Sequence, residues 1–202
     1  KSSMRNKLAY DLANEIGSLG MESTWVECFL NGEYQGLYQF GEHIRIDKER
    51  VNIFDWEGTA EEAADAIAAT NAFASVDKKA LEAQMSTDFA WVTSGKVTYT
   101  NVEYEVTDDF KNLDISGGYL VESSKEYDEV TKFTIKSGTL TFEAMLNAPE
   151  FLNTNEEMLD ACSNRLADYW AACASPDGYN TNGVHWSELA DTDSMATYFL
   201  PL

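Results

Sequence analysis

The sequence has few of the residues that form cross-links or bind metals, since its 202 residues include three cysteines, three prolines and two histidines. No cysteine pair has the CxxC spacing of a structural zinc site, and an odd number does not complete a disulfide framework. Cys162 and Cys173 would lie eleven residues apart on one predicted helix, too far along it to bond to each other. We therefore expect no disulfide framework and no metal site within the chain.

Positive charge is also scarce, with 14 lysines and arginines against 35 aspartates and glutamates and a net charge of −21. Residues 1–50 hold 8 acids and 6 bases, whereas residues 51–202 hold 27 acids and 8 bases. Such a surface repels the phosphates of nucleic acids and of anionic membranes. The chain also lacks an apolar run near the roughly 20 residues that cross a bilayer. We expect neither nucleic-acid binding nor membrane insertion.

Several common catalytic and binding signatures are missing, because the chain contains no GxGxxG, no GxxxxGK[ST] and no GxSxG. Dinucleotide, P-loop and serine-hydrolase sites therefore have no local support. No segment has the acid spacing of an EF-hand loop, so the many carboxylates do not by themselves predict a calcium site. A hydrophobic content of 44% and an aromatic content of 12% argue against disorder. The length of the chain is sufficient for one domain with a core.

The most informative feature that is present is the stretch VECFLNGEYQGLYQFGEHIRIDKERVNI at residues 26–53. Its first residues alternate in polarity as a strand does, and Asn31-Gly32 follows them, which is the strongest short signal for a hairpin turn. The return strand spans residues 34–40. Gly36 inside it predicts a bulge or a close approach of another backbone or a ligand. The sequence therefore predicts a β-hairpin that ends in a polar connection.

The rest of the chain mixes helical and strand patterns. Apolar spacing and capping residues predict helices over residues 3–16, 59–69, 75–85, 141–147 and 149–174, with a last helix from 187 onward. Strand patterns lie at residues 89–106, 119–122 and 132–136. Thr59 and Ser75 are the predicted N-caps of the second and third helices. This order predicts an α+β fold.

Five segments of the chain resemble the CotH kinase family, which is named for a spore-coat protein. They read RNKLAYDLA at residues 5–13, NGEYQGLY at 31–38, Glu42 with Ile46-Asp47, GGYLVE at 117–122, and an aspartate-led helix at 191–202. The resemblance thus touches both ends and the middle of the chain. It is weak over residues 55–112, which we interpret as an insertion particular to this chain.

The resemblance implies a partial, atypical protein-kinase-like domain with an N-terminal helix, a β-hairpin and a helical remainder. On this interpretation residues 1–202 form a single partial domain. Residues 1–54 supply the helix, hairpin and hinge, residues 55–112 the acidic insertion, and residues 113–202 mixed strands and helices. The family's phosphate-binding lysine would precede Lys1 and its catalytic acids would follow Leu202, so we assign no catalytic residue within the chain.

The resemblance also implies an activity, which is transfer of the ATP γ-phosphoryl to serine or threonine of a protein substrate, with Mg²⁺. It implies an extracellular, cell-surface or spore-coat location. The alternative function is a non-catalytic extracellular binding or assembly module that reuses the fold. In that case the partner would be another component of a surface assembly rather than a substrate.

Two places are candidates for the nucleotide site that the resemblance implies. If the hairpin precedes the hinge, residues 40–44 lie near the base of ATP, with Glu42 at the rim of the pocket and Gly41 and His43 beside it. Glu42 would otherwise be a solvated acid that pairs with Arg45 or Lys48. Glu122, which follows the glycine pair, is either a second site residue or an exposed strand residue.

One acidic residue of the first helix is a further candidate, because the resemblance allows Asp11 to face the site and hold a cation supplied from upstream. Its alternative is a surface acid of the helix, and the sequence favours that alternative. The hinge residues and the first helix together predict a cleft beside the end of the hairpin.

Overall fold

A computed structural model describes residues 4–17, 20–43, 45–48, 50–70, 76–122 and 130–190. Their helices are α1 (Met4–Glu15), α2 (Trp56–Thr70), α3 (Lys78–Met85), α4 (Ala90–Ser94), α5 (Glu156–Ala174) and α6 (Trp186–Leu189). Their strands are β1 (Ser23–Leu30), β2 (Glu33–Gly41), β3 (Lys96–Tyr99), β4 (Val102–Glu105), β5 (Leu120–Glu122), β6 (Lys132–Ser137) and β7 (Leu140–Ala148). The mixture confirms the predicted α+β class.

The described residues divide into two compact units, of which the first consists of the described residues up to Asn52 together with Ala190 and the second spans Ile53–Leu189. The first unit contains α1 and the antiparallel ribbon of β1 and β2. The second unit contains the other helices and two further sheets. The part of the chain after the hinge is therefore not simply helical, since five of the described strands lie there.

The hairpin prediction is confirmed, although β1 begins three residues earlier than the alternation indicated. Asn31 and Gly32 have φ values of 53° and 85°, the double positive φ of a tight two-residue turn. Cys28 pairs with Gly36 whereas Phe29 pairs with Tyr34, so the return strand carries one extra residue. Gly36 itself has φ of 117°, which confirms the predicted bulge at this glycine.

The first helix has the predicted extent, but the apolar stripe that predicted it lies at the surface. Met4 is 70% exposed and Leu8 69% exposed, and α1 buries none of its residues. Spacing therefore identified the helix, whereas it did not indicate whether the stripe would be covered.

The second unit contains the buried core. Its large side chains that are fully buried include Trp56, Ile67, Leu81, Met85, Phe89, Trp91, Leu146, Leu152 and Met158. Helices α2 and α3 pack against each other and α4 contacts β3, while Val97 and Tyr104 of the hairpin of β3 and β4 belong to the same buried cluster. Residues 89–106 are thus strand-rich as predicted, apart from the short helix α4.

Two predicted helix caps require correction. Helix α2 begins at Trp56, three residues before the predicted start, and Asp55 accepts a hydrogen bond from the Gly58 backbone N–H at 2.9 Å. Thr59 therefore lies inside the helix, where its hydroxyl donates to the Asp55 carbonyl at 2.6 Å. Ser75 lies outside the described residues, and α3 is capped by Asp77, which accepts from the Ala80 N–H.

The prediction of a helix over residues 141–147 is wrong. This segment is the strand β7, the centre of a sheet with the order β5-β7-β6. Its residues Glu143, Ala144, Met145 and Leu146 are good helix formers, but two neighbouring strands satisfy its backbone and override that propensity. Helix α5 then begins at Glu156 rather than at residue 149, because Asn155 caps it by accepting from the Met158 N–H at 3.1 Å.

Candidate functional site

The ribbon of the first unit ends at a corner where β2 gives way to the connection that follows it. Past the last strand pair, the Glu42 backbone N–H donates to the Glu22 carbonyl at 3.0 Å. The Glu22 N–H in turn donates to the Glu42 carboxylate at 3.2 Å. Glu42 therefore closes the end of the ribbon with both its backbone and its side chain.

Arg50 reinforces this corner from the connection. Its side chain is only 14% exposed, and one guanidinium nitrogen donates to the Gly20 carbonyl at 2.8 Å. The same nitrogen lies 3.9 Å from the Glu42 carboxylate. Arg45, which the sequence offered as a partner of Glu42, instead lies 3.6 Å from Asp47. The arginine beside Glu42 is therefore Arg50, which lies five residues after Arg45 in the chain.

A groove of about 560 Å³ opens beside the corner, between the C-terminal half of α1 and the end of the ribbon. Its lining consists of Asp11, Asn14, Glu22, Ser23, Thr24, Phe40, Gly41 and Glu42. Phe40 is 69% exposed, so its ring presents a flat apolar surface there. The volume lies within the range of about 300–1,000 Å³ that is typical of small-molecule sites.

Carboxylates dominate the electrostatics of this groove, because Asp11, Glu22 and Glu42 all line it. Two of them have a cationic partner: Asp11 forms an ion pair with Lys7, and Glu42 lies beside Arg50. A wall of this sign disfavours phosphate groups and suits the hydroxyl and amino donors of a neutral ligand. The groove is therefore better matched to the nucleoside part of a nucleotide than to its phosphates.

The predicted site residues divide between the two units. Gly41 and Glu42 line the groove together with Asp11, and His43 follows them as an exposed residue outside the lining. Ile44 lies outside the described residues. Glu122 belongs to the second unit, where it is half-buried on β5 opposite Met145. The binding roles of Gly41, Glu42, His43 and Glu122 stay predictions.

The glycine pair before Glu122 has a packing role that the structure makes visible. The Trp56 indole N–H donates to the Gly117 carbonyl at 3.0 Å. Gly118 has φ of 86°, and a Cβ there would lie 2.6 Å from the Trp56 indole nitrogen and 2.8 Å from the Phe54 carbonyl. The absence of a side chain at Gly118 therefore makes room for a buried tryptophan and its neighbouring backbone.

Two groups near this motif carry weakly acidic protons, of which Cys162 is buried and Tyr119 is partly buried. The Tyr119 hydroxyl donates to the Ile115 carbonyl at 2.6 Å, and burial raises the pKa of Tyr119 well above its ordinary value. Burial likewise raises the pKa of the Cys162 thiol to about 12. Both groups therefore stay neutral at physiological pH, as structural members of the core do.

A second groove, of about 470 Å³, lies in the second unit. It is lined by Val92, Thr93, Ser94, Gly95, Lys96, Glu105, Lys111, Asn112, Leu113, Ile115 and Glu157. Its lysines are paired, since Lys96 lies 2.7 Å from Glu103 and Lys111 lies 3.0 Å from Asp108. The hydrogen bonds to these carboxylates raise the pKa of both lysines. This groove therefore offers an anionic ligand little unpaired positive charge.

Within the described ranges, no group of three or more histidine, cysteine, aspartate and glutamate side chains is arranged to hold a metal ion. No helix of those same ranges is both long enough and apolar enough to cross a membrane. Structural support for the predicted nucleotide corner therefore comes from the groove and from the hydrogen bonds around it.

Sequence reasoning placed Phe40 at this corner, within residues 40–44, but it missed Arg50. In the sequence, Arg50 is one of several charged residues of a polar segment. Only its burial and its hydrogen bond to the Gly20 carbonyl, which the structure shows, distinguish it from the others. Phe40 reads as an ordinary strand residue, and no local pattern indicates that its ring stays exposed beside a groove. The available signal was Gly41, where the strand pattern of residues 34–40 stops. This signal located the corner but did not identify the residues that contact Glu42.

Comparison with known proteins identifies the family. The family model described as CotH kinase protein matches residues 1–137, which is more than half of the chain. The match contains α1, the ribbon, the corner and the glycine pair, whereas residues 191–202 lie outside both the match and the described residues. It runs through residues 55–112, whose interpretation as an insertion stays a prediction. No curated protein and no solved structure matches the chain significantly. The resemblance noted from the sequence is confirmed, and the chain belongs to the CotH kinase protein family.

Proposed function

We propose that this chain is part of a kinase-like phosphotransferase and that the groove beside Gly41 and Glu42 receives the adenosine end of ATP. The observation that carries the proposal is a groove at the position where the resemblance leads us to expect a nucleotide. Family resemblance predicts the nucleotide base at the end of the hairpin, and a groove of about 560 Å³ opens at that end. The kinase-like character of the fold is part of the same proposal, with the family match as its support.

The chemistry of the corner supports binding of an adenine edge. That edge offers one amino donor and one ring acceptor, which pair well with a backbone carbonyl and a backbone N–H. Among described residues, none hydrogen-bonds the Glu42 carbonyl or the His43 N–H, and both follow the last strand pair. The exposed Phe40 ring supplies an apolar face beside them.

Charge decides which end of the nucleotide the groove takes. Three carboxylates line it, so a triphosphate placed inside would meet repulsion from Asp11, Glu22 and Glu42. The adenosine end carries no charge, and its ribose hydroxyls are donors that a carboxylate accepts. We therefore place adenine and ribose in the groove and direct the phosphates out of it.

Phosphoryl transfer depends mainly on positioning and on stabilisation of charge around the phosphates. In the proposed reaction the acceptor is a serine or threonine hydroxyl of a protein. Magnesium, when bound, would supply neutralisation of the charge on the phosphates. The described residues contain no carboxylate cluster suited to hold it, so the proposal assigns this chain the orientation of the nucleoside and no catalytic step.

Calorimetric titration with adenosine, ATP and tripolyphosphate tests the proposal. We expect adenosine and ATP to bind and tripolyphosphate neither to bind nor to displace adenosine. Thr24→Trp places an indole in the groove and should abolish adenosine binding, because Thr24 lines it. Thr98→Trp is the matched control, since Thr98 is an exposed strand residue of the second unit. Equal adenosine affinity in the two variants would contradict the assignment of the groove.

A further inference from the structure

We infer that Arg50 is a positioning residue of the nucleotide corner, an inference that rests on the function proposed above. It acts through Glu42 by holding the carboxylate of that residue back against the start of β1. In this position the carboxylate is neutralised by a neighbouring cation, and the backbone of the corner is left to face the ligand. Arg50 itself need not touch the nucleotide.

The first support is the geometry of Arg50. An arginine side chain that is 14% exposed is unusual on so small a unit, because a guanidinium is costly to bury without partners. One nitrogen donates to the Gly20 carbonyl at 2.8 Å and lies 3.9 Å from the Glu42 carboxylate. Arg50 thus joins the loop before β1 to the residue after β2.

The second support is the orientation of Glu42. The carboxylate oxygen nearest to Arg50 is the same oxygen that accepts the Glu22 backbone N–H at 3.2 Å. One oxygen therefore receives both a hydrogen bond and the attraction of a positive charge, from the side of β1. The carboxylate is 46% exposed, so without these two partners it is free to turn towards the groove that it lines.

The third support is the charge balance of the groove. Asp11 is paired with Lys7, and Glu22 and Glu42 contribute two further negative charges to the lining. Arg50 lies 3.9 Å from Glu42, whereas Arg45 is paired with Asp47. Removing the charge of Arg50 would therefore raise the negative potential where an anionic nucleotide binds.

This role makes a prediction that separates charge from mere folding. Arg50→Met leaves Glu42 without its cation, which should weaken binding of ATP about fivefold more than binding of neutral adenosine. A purely structural role would weaken both ligands by the same factor. Adding Glu42→Gln to Arg50→Met removes the unpaired charge and should restore the ratio of the two affinities to about that of the unaltered chain.

Controls use the same measurement on the complete chain. Arg50→Lys keeps the charge and should stay within about twofold of the unaltered ratio of affinities. Arg45→Met removes an exposed arginine that pairs with Asp47 and should leave the ratio unchanged. If Arg50→Met does not fold, as judged by urea unfolding, Glu42→Gln alone decides the matter. It should shift the ratio in the opposite direction, because Arg50 is then left without its carboxylate.

The outcomes are distinguishable. A selective loss of ATP affinity in Arg50→Met that is reversed by Glu42→Gln, or the opposite shift in Glu42→Gln alone, supports the inference. An unchanged ratio of ATP to adenosine affinity in Arg50→Met, or in Glu42→Gln when Arg50→Met does not fold, overturns it while leaving the proposed function intact. An unaltered chain that binds neither adenosine nor ATP overturns the proposed function and this inference together.

Discussion

The two units of this chain use apolar residues in opposite ways. In the first unit, ten large apolar side chains are exposed, and Gly20 is the only buried position among its described residues. In the second unit, two tryptophans, a phenylalanine and a series of aliphatic residues form a closed core. Burial of such side chains is the main source of folding free energy. The second unit therefore carries the stability, whereas the first carries the proposed binding site.

The helices α1 and α2 illustrate what this difference teaches. Each has apolar residues at helical spacing, yet α1 buries none of its residues and α2 buries Trp56, Ile67 and three alanines. The periodicity of a helix reports which residues share a face. Whether another element covers that face depends on contacts that are distant in sequence.

The sharpest way to test the comparison is to truncate one leucine in each unit. Leu81→Ala removes a fully buried side chain of α3 and should lower the free energy of unfolding by about 3 kcal/mol. Leu8→Ala truncates a side chain that is 69% exposed on α1 and should change it by less than about 0.5 kcal/mol. Urea unfolding followed by circular dichroism measures both. Equal losses would break the distinction between the two units.

A second prediction concerns the family's glycine pair in the second unit. Gly118→Ala should lower the free energy of unfolding by about 2 kcal/mol, because its Cβ would lie 2.6 Å from the Trp56 indole nitrogen and its φ is positive. Gly117→Ala is the matched control, since a Cβ at Gly117 would meet nothing within 4 Å. Thermal unfolding monitored by tryptophan fluorescence compares them. A loss in Gly117→Ala as large as that in Gly118→Ala would argue against the packing role.

A third prediction compares a buried cap with an exposed one. Asn155 is 4% exposed, and its amide donates to the Phe89 carbonyl at 2.8 Å while its oxygen caps α5. Asn155→Ala should therefore cost about 2 kcal/mol. Asp77→Ala removes an exposed cap of α3 and should cost about 1 kcal/mol or less. Urea unfolding measures the loss in free energy of unfolding for both variants. A larger loss in Asp77→Ala than in Asn155→Ala would contradict the argument from burial.

The smallest expected effect is a difference in chemical reactivity that requires no change in stability. Cys162 is 2% exposed with a pKa of about 12, whereas Cys173 is exposed. Iodoacetamide at pH 8 should modify Cys173 in the folded chain and reach Cys162 only in denaturant. Because the pKa of Cys162 lies above its ordinary value of 9.0, its contribution to stability is lost as pH rises from 9 towards 12. Peptide mass spectrometry reads both sites, and rapid native labelling of Cys162 would refute its burial.

The sequence predicted local structure well where a turn or a cap determines it. Asn31-Gly32 fixed the hairpin, and Gly36 indicated its bulge, because positive φ at these positions leaves few other arrangements. Helical composition misled at residues 141–147, since β7 is a strand only by virtue of its pairing with β5 and β6. The pairing with β5 joins residues 23 or more positions apart in the chain and leaves no local pattern. The pairing with β6 closes a tight hairpin, and its turn at Gly138 is the local signal that the helix prediction overlooked.

The candidate site was predictable to a similar degree. The Gly41 break and the family resemblance located the corner, and a groove lies there. The partner of Glu42 was not predictable, because Arg50 reaches the corner through a connection whose path no motif specifies. Sequence proximity offered Arg45 or Lys48 instead, and of these two Arg45 pairs with Asp47. A local pattern can therefore mark a position of interest without identifying what surrounds it.

The most direct test of the nucleotide assignment is a titration of the isotope-labelled chain with adenosine, followed through its backbone amide NMR signals. The two grooves have similar volumes, about 560 and 470 Å³, and lie in different units, so the perturbed signals distinguish them. We predict shifts at Gly41, Glu42 and Asn14 and none at Gly95 or Asn112. Shifts confined to Gly95 and Asn112, or no shifts at millimolar adenosine, would contradict the assignment.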